Sequence, residues 1–326
     1  MIKMKFGNKG RGKRRREKDA ASFRQNQKFV KELRTNYQLY LLVLPCMLLM
    51  LLFRYVPMSG LIMAFQNYNI TKGIMGSQFI GFANFNKMFH QEGFLLALRN
   101  TLVIKLLTMI IGLPLPIALA IMINEIGKKR YRKVMQTITY FPYFLSWVVI
   151  NGILLNLLNV QDGVVNQIIK MLGGEPIAFM MSKKYFVAIL ILSTFWKNLG
   201  CDTIIYLAAL TSIDSGLYEA AKIDGASKLQ QIRHITLPGL MNTVIICQIL
   251  AIGRILRAND EQILALYSEP VYEVADTIGT YVYRNGIGQM QYGYSTAVGL
   301  FQSVIGLIMV VFTNKLSQKY TENSVW

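Results

Sequence analysis

"YEAAKIDGASKLQQIRHITLP", Tyr218 to Pro238, is a polar, helix-prone stretch between two strongly apolar segments. Glu219, Ala220, Ala221 and Lys222 are good helix formers, and Gly225 stands where a helix ends on a left-handed residue. Ser227, followed three residues later by Gln230, forms a capping box that starts a second helix. Ile232, Ile235 and Leu237 keep an apolar side toward membrane or bundle, while Lys228, Gln231, Arg233 and His234 face water. Pro238 then opens the next span at a first-turn position, where its missing N–H costs little. The pattern predicts a helix, a glycine turn and a second helix as one rigid element. Periodicity alone leaves two readings open: a hairpin that merely joins two spans, or a handle for a partner.

The flanking segments decide the fold class. The 326 residues are 53% hydrophobic and 16% charged, with a mean hydropathy of +0.36, which excludes an ordinary soluble domain. About six runs approach the roughly 20 apolar residues that cross a bilayer: residues 39–55, 95–123, 134–158, 185–209, 238–256 and 293–314. Residues 56–94 mix Gly, Asn and aromatics and read as an outer re-entrant or interfacial stretch. The expected architecture is all-α, a polytopic transmembrane helical bundle over residues 37–319. A basic arm, residues 1–36, precedes it, a short tail, residues 320–326, follows it, and the polar loop occupies residues 211–238.

The net charge of +18 is unevenly distributed. It gathers in the arm, with Lys3, Lys5, Lys9, Arg11 and the run Lys13 to Arg16, and in Lys128, Lys129, Arg130, Arg132 and Lys133 before the third span. Lys222, Lys228, Arg233, Lys315 and Lys319 fall on the same side. This asymmetry predicts a multi-pass protein of the plasma membrane with both termini and the polar loop in the cytoplasm. No aromatic stacking platform accompanies the arm, so nucleic acid is not the expected partner. The first apolar run lacks a small-x-small exit and reads as a retained signal anchor. Cys46, Cys201 and Cys247 sit inside apolar spans as packing residues.

No catalytic or metal site is legible. "GNKGRGKR", Gly7 to Arg14, nearly spells a phosphate-binding loop, but Arg14 stands where a magnesium-binding hydroxyl is required, and no strand precedes it. His90 and His234 lie in no metalloprotease or nucleophile motif. Polar groups inside spans are costly and mark a pathway or an internal pair. Trp196, Lys197, Asn198, Asp202 and Tyr206 cluster in the fourth span, with Gln248 in the fifth and Gln302 in the sixth. Asn198 and Asp202 share a face, and an indole beside amide and charged groups suits a sugar ring. The competing reading pairs Lys197 with Asp202 as a lock between helices. Lys105 is expected to snorkel. Ser295, Gly299 and Ser303 recur every four residues as a candidate close-packing face.

Glu219-Ala220-Ala221, then Gly225, Ile235 and Leu237-Pro238, resembles the EAA loop of permease subunits of binding-protein-dependent ABC importers. "VYEVADTIGTYVYR" (Val271 to Arg284), "STAVGLFQSVIGLIMV" (Ser295 to Val310) and "NTLVIKLL" (Asn100 to Leu107) extend the resemblance to the carbohydrate branch, over residues 37–319. It implies the type I ABC importer permease fold and an oligosaccharide or polysaccharide-fragment cargo. It also implies a second related permease in a heterodimer, a cytoplasmic ATPase dimer and an extracytoplasmic solute-binding protein. Glu219, Ala220, Ala221, Asp224 and Gly225 would then contact the ATPase, Gly225 permitting a close approach. The chain would be no enzyme and hold no cofactor, ATP and Mg belonging to the ATPase. Two departures stand out: "IDSGLYEAA" leaves Asp214 or Ser215 to start the helix, and "GRILRANDEQI", Gly253 to Ile263, carries Arg254, Arg257, Asn259, Asp260 and Glu261 where an outer turn is expected. An amino-acid or peptide cargo is the nearest alternative. An ion-driven secondary transporter would call for inverted repeats and paired broken helices, and none is visible.

Overall fold

The computed structural model describes residues 35–256 and 260–321, and the side chains of all of these but 260, 320 and 321. The basic arm before residue 35, Arg257, Asn259 and the last residues of the tail, 322–326, lie outside the described residues. The chain divides into two units, Met1–Leu61 and Ile62–Trp326.

In the first unit, α1 (Tyr37–Met50) carries Pro45 inside it and continues through a wide π turn, Leu51–Tyr55, into a 3-10 segment, Val56–Phe65, that ends beyond the unit boundary. The helical run therefore starts earlier and ends later than the expected 39–55. The wide turn sits just before Pro57, where a proline cannot donate to the ladder, and spreads the misfit over one turn. The α-helical part of this run is apolar on every face, the pattern of a helix surrounded by lipid or other protein.

The second unit opens with a small antiparallel hairpin, β1 (Gln66–Asn67) pairing with β2 (Gln78–Phe79), a minor exception to the all-α expectation. Buried Asn84 on α2 (Ala83–His90) ties it down, donating to the carbonyls of Ala64 and Gln66. The second span is α3 (Glu92–Gly112) followed by α4 (Pro114–Glu125). The third is not the continuous helix expected over 134–158. Instead α5 (Lys129–Tyr140) and a 3-10 turn, Phe141–Phe144, meet α6 (Trp147–Leu157) at a bend of 95°. Pro142 interrupts the ladder, and Ser146 restarts it by accepting the Val149 N–H.

A short α7 (Val164–Met171) leads to the 28-residue α8 (Lys183–Leu210), then to α9 (Ser215–Ile223) and α10 (Lys228–Gln231) in the polar loop. A second wide turn, Ile232–Thr236, joins α10 to α11 (Leu237–Ile252), so that one helix runs from Lys228 to Ile252. Pro238 stands in the first turn of α11, as expected, and the wide turn before it carries the helix through without a break. After α11 come α12 (Asp260–Leu266), α13 (Tyr272–Ala275), α14 (Ile278–Tyr283) and α15 (Tyr292–Thr321). Among the described residues, five helices are long and apolar enough to cross a membrane, or six if the bent pair counts as one span.

Three apolar clusters hold this unit. Near the polar loop, Ala120, Tyr206, Leu210 and Leu240 join α4, α8 and α11. Ile104, Phe186, Leu190, Ile263 and Val271 join α3, α8 and α12, and Phe94, Ala97, Ile278, Tyr281 and Val298 join α3, α14 and α15. Two stretches that carry the family resemblance prove to be one joint: Asn100 donates to the carbonyls of Glu273 (3.0 Å) and Asp276 (3.1 Å), and Thr101 accepts from the Ile278 N–H (2.9 Å). Of the expected small-residue face on α15, only Ser295 is buried, and a Cβ on Gly299 would meet nothing within 4 Å. The tight crossing with α11 lies elsewhere, where a Cβ on Gly306 would come within 2.8 Å of the Gly253 carbonyl oxygen.

Candidate functional site

The polar loop is a tightly capped turn. Asp214 caps α9 by accepting the Gly216 N–H at 2.9 Å. At its other end Gly225 N–H reaches the Lys222 carbonyl at 3.1 Å and Ala226 N–H the Ala221 carbonyl at 2.8 Å. That two-bond cap requires a left-handed residue, and Gly225 has φ +76°. A Cβ at Gly225 would meet nothing within 4 Å, so backbone conformation, not crowding within the chain, selects glycine. The capping box is complete: Ser227 N–H donates to Gln230 Oε1 at 2.7 Å and Gln230 N–H to Ser227 Oγ at 3.4 Å. Gln231, expected in water, is buried and donates to the Ala226 carbonyl at 2.9 Å, sealing the turn from inside.

Two contacts fasten this element to the spans. Tyr218 Oη lies 2.9 Å from Thr236 Oγ1 in the wide turn, and Lys228 pairs with Glu125 at the end of α4 at 2.5 Å. Glu219, Ala220, Asp224 and Gly225 are exposed, and Ala221 is half-buried. Beside them Leu217, Ile223 and Leu229 are 53%, 86% and 75% exposed. Large apolar side chains on a rigid polar element form a surface suited to a protein partner.

Between the spans of the second unit lies a cavity of about 420 Å³. Thr194, Asn198, Asp202 and Tyr206, four residues apart along α8, form one wall. Ile104, Lys105, Thr108 and Gly112 of α3 form another, and Cys247, Gln248 and Ala251 of α11 a third, continued by Arg254. Gln262 of α12 closes one end. It donates to Leu190 O (3.0 Å) and Ser193 Oγ (2.8 Å) and accepts from Thr194 Oγ1 (2.9 Å), so it is fixed on every side.

Four of the expected pathway residues, Asn198, Asp202, Tyr206 and Gln248, meet in this cavity. Three do not. Trp196 is on another face of α8, 49% exposed. Gln302 lines a separate groove with Tyr292 and Thr296 and donates to the Leu256 carbonyl at 3.0 Å. Lys197 is buried, yet neither lines the cavity nor pairs with Asp202. Its ammonium donates to the carbonyls of Tyr143 (2.9 Å) and Leu145 and lies over the rings of Tyr143 and Trp147. The bend between α5 and α6 exposes those carbonyls, and the lysine satisfies them.

Lys105, expected to snorkel, is among the residues that line the cavity. Thr194, Arg254 and Gln262 line it as well. Thr194 was legible as the next member of the four-residue series on α8, whereas Gln262 reaches the cavity because α12 folds back over it.

The sequence profile described as "Binding-protein-dependent transport system inner membrane component" matches residues 112–322. The chain belongs to this family. It is a multi-pass permease subunit of an ABC importer. It is 41% identical to the polygalacturonan/rhamnogalacturonan transport system permease protein YteP of Bacillus subtilis (strain 168), over 94% of this chain and 97% of that one. Protein LplB of the same organism is 38% identical, over 88% and 91%. A chain in the crystal structure of a bacterial ABC transporter involved in the import of the acidic polysaccharide alginate superposes with a TM-score of 0.83 at 39% identity, over 90% of this permease and 99% of that chain. A second structure, of the alginate transporter with an alginate pentasaccharide-bound periplasmic protein, matches equally well.

Proposed function

We propose that the permease moves an oligosaccharide or polysaccharide fragment across the plasma membrane by alternating access. An extracytoplasmic solute-binding protein delivers the cargo, and a separate ATPase dimer, which holds the ATP and Mg, drives the cycle. The observation that carries this reading is the cavity. Asn198, Asp202, Tyr206 and Gln248 converge there as amide, carboxylate and phenol groups, the donor and acceptor set that a hydroxyl-rich solute requires. Relatives named for transport of polygalacturonan, rhamnogalacturonan and alginate support the cargo class.

The ATPase grips the loop at Glu219, Ala220, Ala221, Asp224 and Gly225, with Leu217, Ile223 and Leu229 as apolar anchors. The rigid cap at Gly225 and the Tyr218 to Thr236 contact pass the motion to α11. The basic residues around the loop support a cytoplasmic position for it and for both termini. A second, related permease completes the pathway as a heterodimer. Purification with native partners is expected to recover an ATPase and a second permease, and recovery of neither would overturn the coupling scheme. Gly225→Trp is expected to leave membrane insertion intact while uncoupling ATP hydrolysis from uptake; unchanged uptake would refute the docking role.

A further inference from the structure

The third span begins on a run of cations, Lys128, Lys129, Arg130, Arg132 and Lys133. Two of them are used inside the chain. Arg132 donates to the carbonyls of Asn124 (2.7 Å) and Ile126 (3.1 Å) at the end of α4, and the Lys128 ammonium lies 5.7 Å from the centre of the Tyr131 ring. Lys129, Arg130 and Lys133 are exposed, and among the described residues no carboxylate pairs with any of them. Glu125, the acid closest to them in sequence, is already paired with Lys228.

The same helix turns apolar one turn later. Val134, Ile138 and Phe141 follow Arg130 at helical spacing, so the four positions share one face. These three apolar side chains are 48%, 62% and 61% exposed, and Tyr131, beside Arg130, is 60% exposed. From Arg130 to Phe141 the helix rises about 16 Å, close to half of a hydrocarbon layer about 30 Å thick. Beyond Phe144 the 95° bend takes the chain off this line.

A signal that only orients a span needs charge and nothing more. Here charge, a tyrosine of the kind enriched at membrane interfaces, and exposed apolar surface one leaflet deep follow in order along α5. A phospholipid is layered in the same order, phosphate first and acyl chain last. A cytoplasmic protein would reach only the cationic end, and a neutral lipid would leave the cations unmatched. Ammonium and guanidinium groups both bind phosphate, the guanidinium through a planar two-pronged contact. We infer that Lys129, Arg130 and Lys133, with the stripe Val134, Ile138 and Phe141, form a binding site for an anionic phospholipid, its phosphate on the cations and an acyl chain along the stripe. The site does not depend on which solute the permease carries.

The test uses the whole importer, purified with its partners, with photoreactive p-benzoylphenylalanine incorporated at Phe141. It is placed in nanodiscs that hold equal amounts of phosphatidylglycerol and phosphatidylcholine with identical acyl chains. After photolysis, mass spectrometry of the permease identifies what lies on the stripe. Phosphatidylglycerol adducts are expected to exceed phosphatidylcholine adducts by about tenfold, from the attraction of several basic residues for an anionic headgroup. The excess is expected to disappear in the triple variant Lys129→Gln, Arg130→Gln, Lys133→Gln and to persist in Lys129→Arg, Arg130→Lys, Lys133→Arg. If the glutamine variant does not insert, the unsubstituted cluster in about 0.5 M KCl, where the charges are screened, is expected to show the same loss. Equal adducts of the two lipids, an excess that survives both glutamine and salt, or a cross-link to another subunit in place of lipid overturns the site.

Discussion

Asp276 is 4% exposed, and its carboxylate is fully engaged. Arg284 donates to both oxygens, at 3.1 and 2.5 Å, and Thr280 adds a third bond at 2.7 Å. The guanidinium lies over the Tyr272 and Tyr281 rings, and the carboxylate beside it holds Arg284 above its ordinary value. Asp276→Ala would leave that cation without its partner, so a loss of about 3 to 5 kcal/mol is expected, read as a lowered melting midpoint of the detergent-solubilised protein. Glu273, three residues earlier, is the contrast. Lys183 hydrogen-bonds it and keeps its carboxyl below the usual range, but both side chains are more than half exposed. A depressed folded value means that the pair contributes above the ordinary carboxylate range and is lost as pH falls through the lower folded value. Glu273→Gln at pH 7 is therefore expected to shift the midpoint far less than Asp276→Ala, and an equal shift would show that exposure does not screen the pair. The residues of the polar loop were the most legible at this scale, because caps and glycine turns depend on neighbours a few positions away. Gln231 was misplaced for the opposite reason. Its partner, Ala226 O, is five residues back, but whether the pair faces water depends on what packs over it.

At the scale of elements, the bend between α5 and α6 separates what hydropathy reads from what packing decides. Residues 134–158 are apolar enough for one span, and hydropathy has no term for direction. Pro142 permits a break, but the bend persists because α8 braces it. Lys197 caps the freed carbonyls, and Gly200 lets α8 approach α5 so closely that a Cβ would lie 2.1 Å from the Thr139 carbonyl oxygen. Gly200→Ala is expected to cost about 1 to 3 kcal/mol by overpacking, again measured as a melting shift, and a neutral result would mean that the two helices are free to separate. Lys197→Met keeps the stem and removes the donor, so a cost of about 1 to 3 kcal/mol for each stranded carbonyl is expected. The two wide turns before Pro57 and Pro238 teach the same lesson. A proline in a sequence announces a local problem, and the surrounding structure chooses between ending the helix and widening one turn.

For the whole molecule, the Lys and Arg distribution predicts a topology that can be tested directly. A cysteine introduced as Ser212→Cys in the exposed polar loop should react with a membrane-impermeant maleimide in inverted vesicles and not in intact cells; labelling in intact cells would reverse the orientation. Composition and hydropathy determined that this chain is a helical membrane protein, since transfer free energy sums over residues and needs no knowledge of contacts. Local spacing determined the shape of the 211–238 loop, since capping acts within one or two turns. The cavity was decided by tertiary structure. Asn198, Asp202 and Tyr206 could be placed on one face of α8 from their spacing, but only packing turned Lys197 and Trp196 away, brought Lys105 inward and folded Gln262 over the end. Which neighbour a buried polar group finds is fixed by helices far apart in the chain, and no local pattern encodes that.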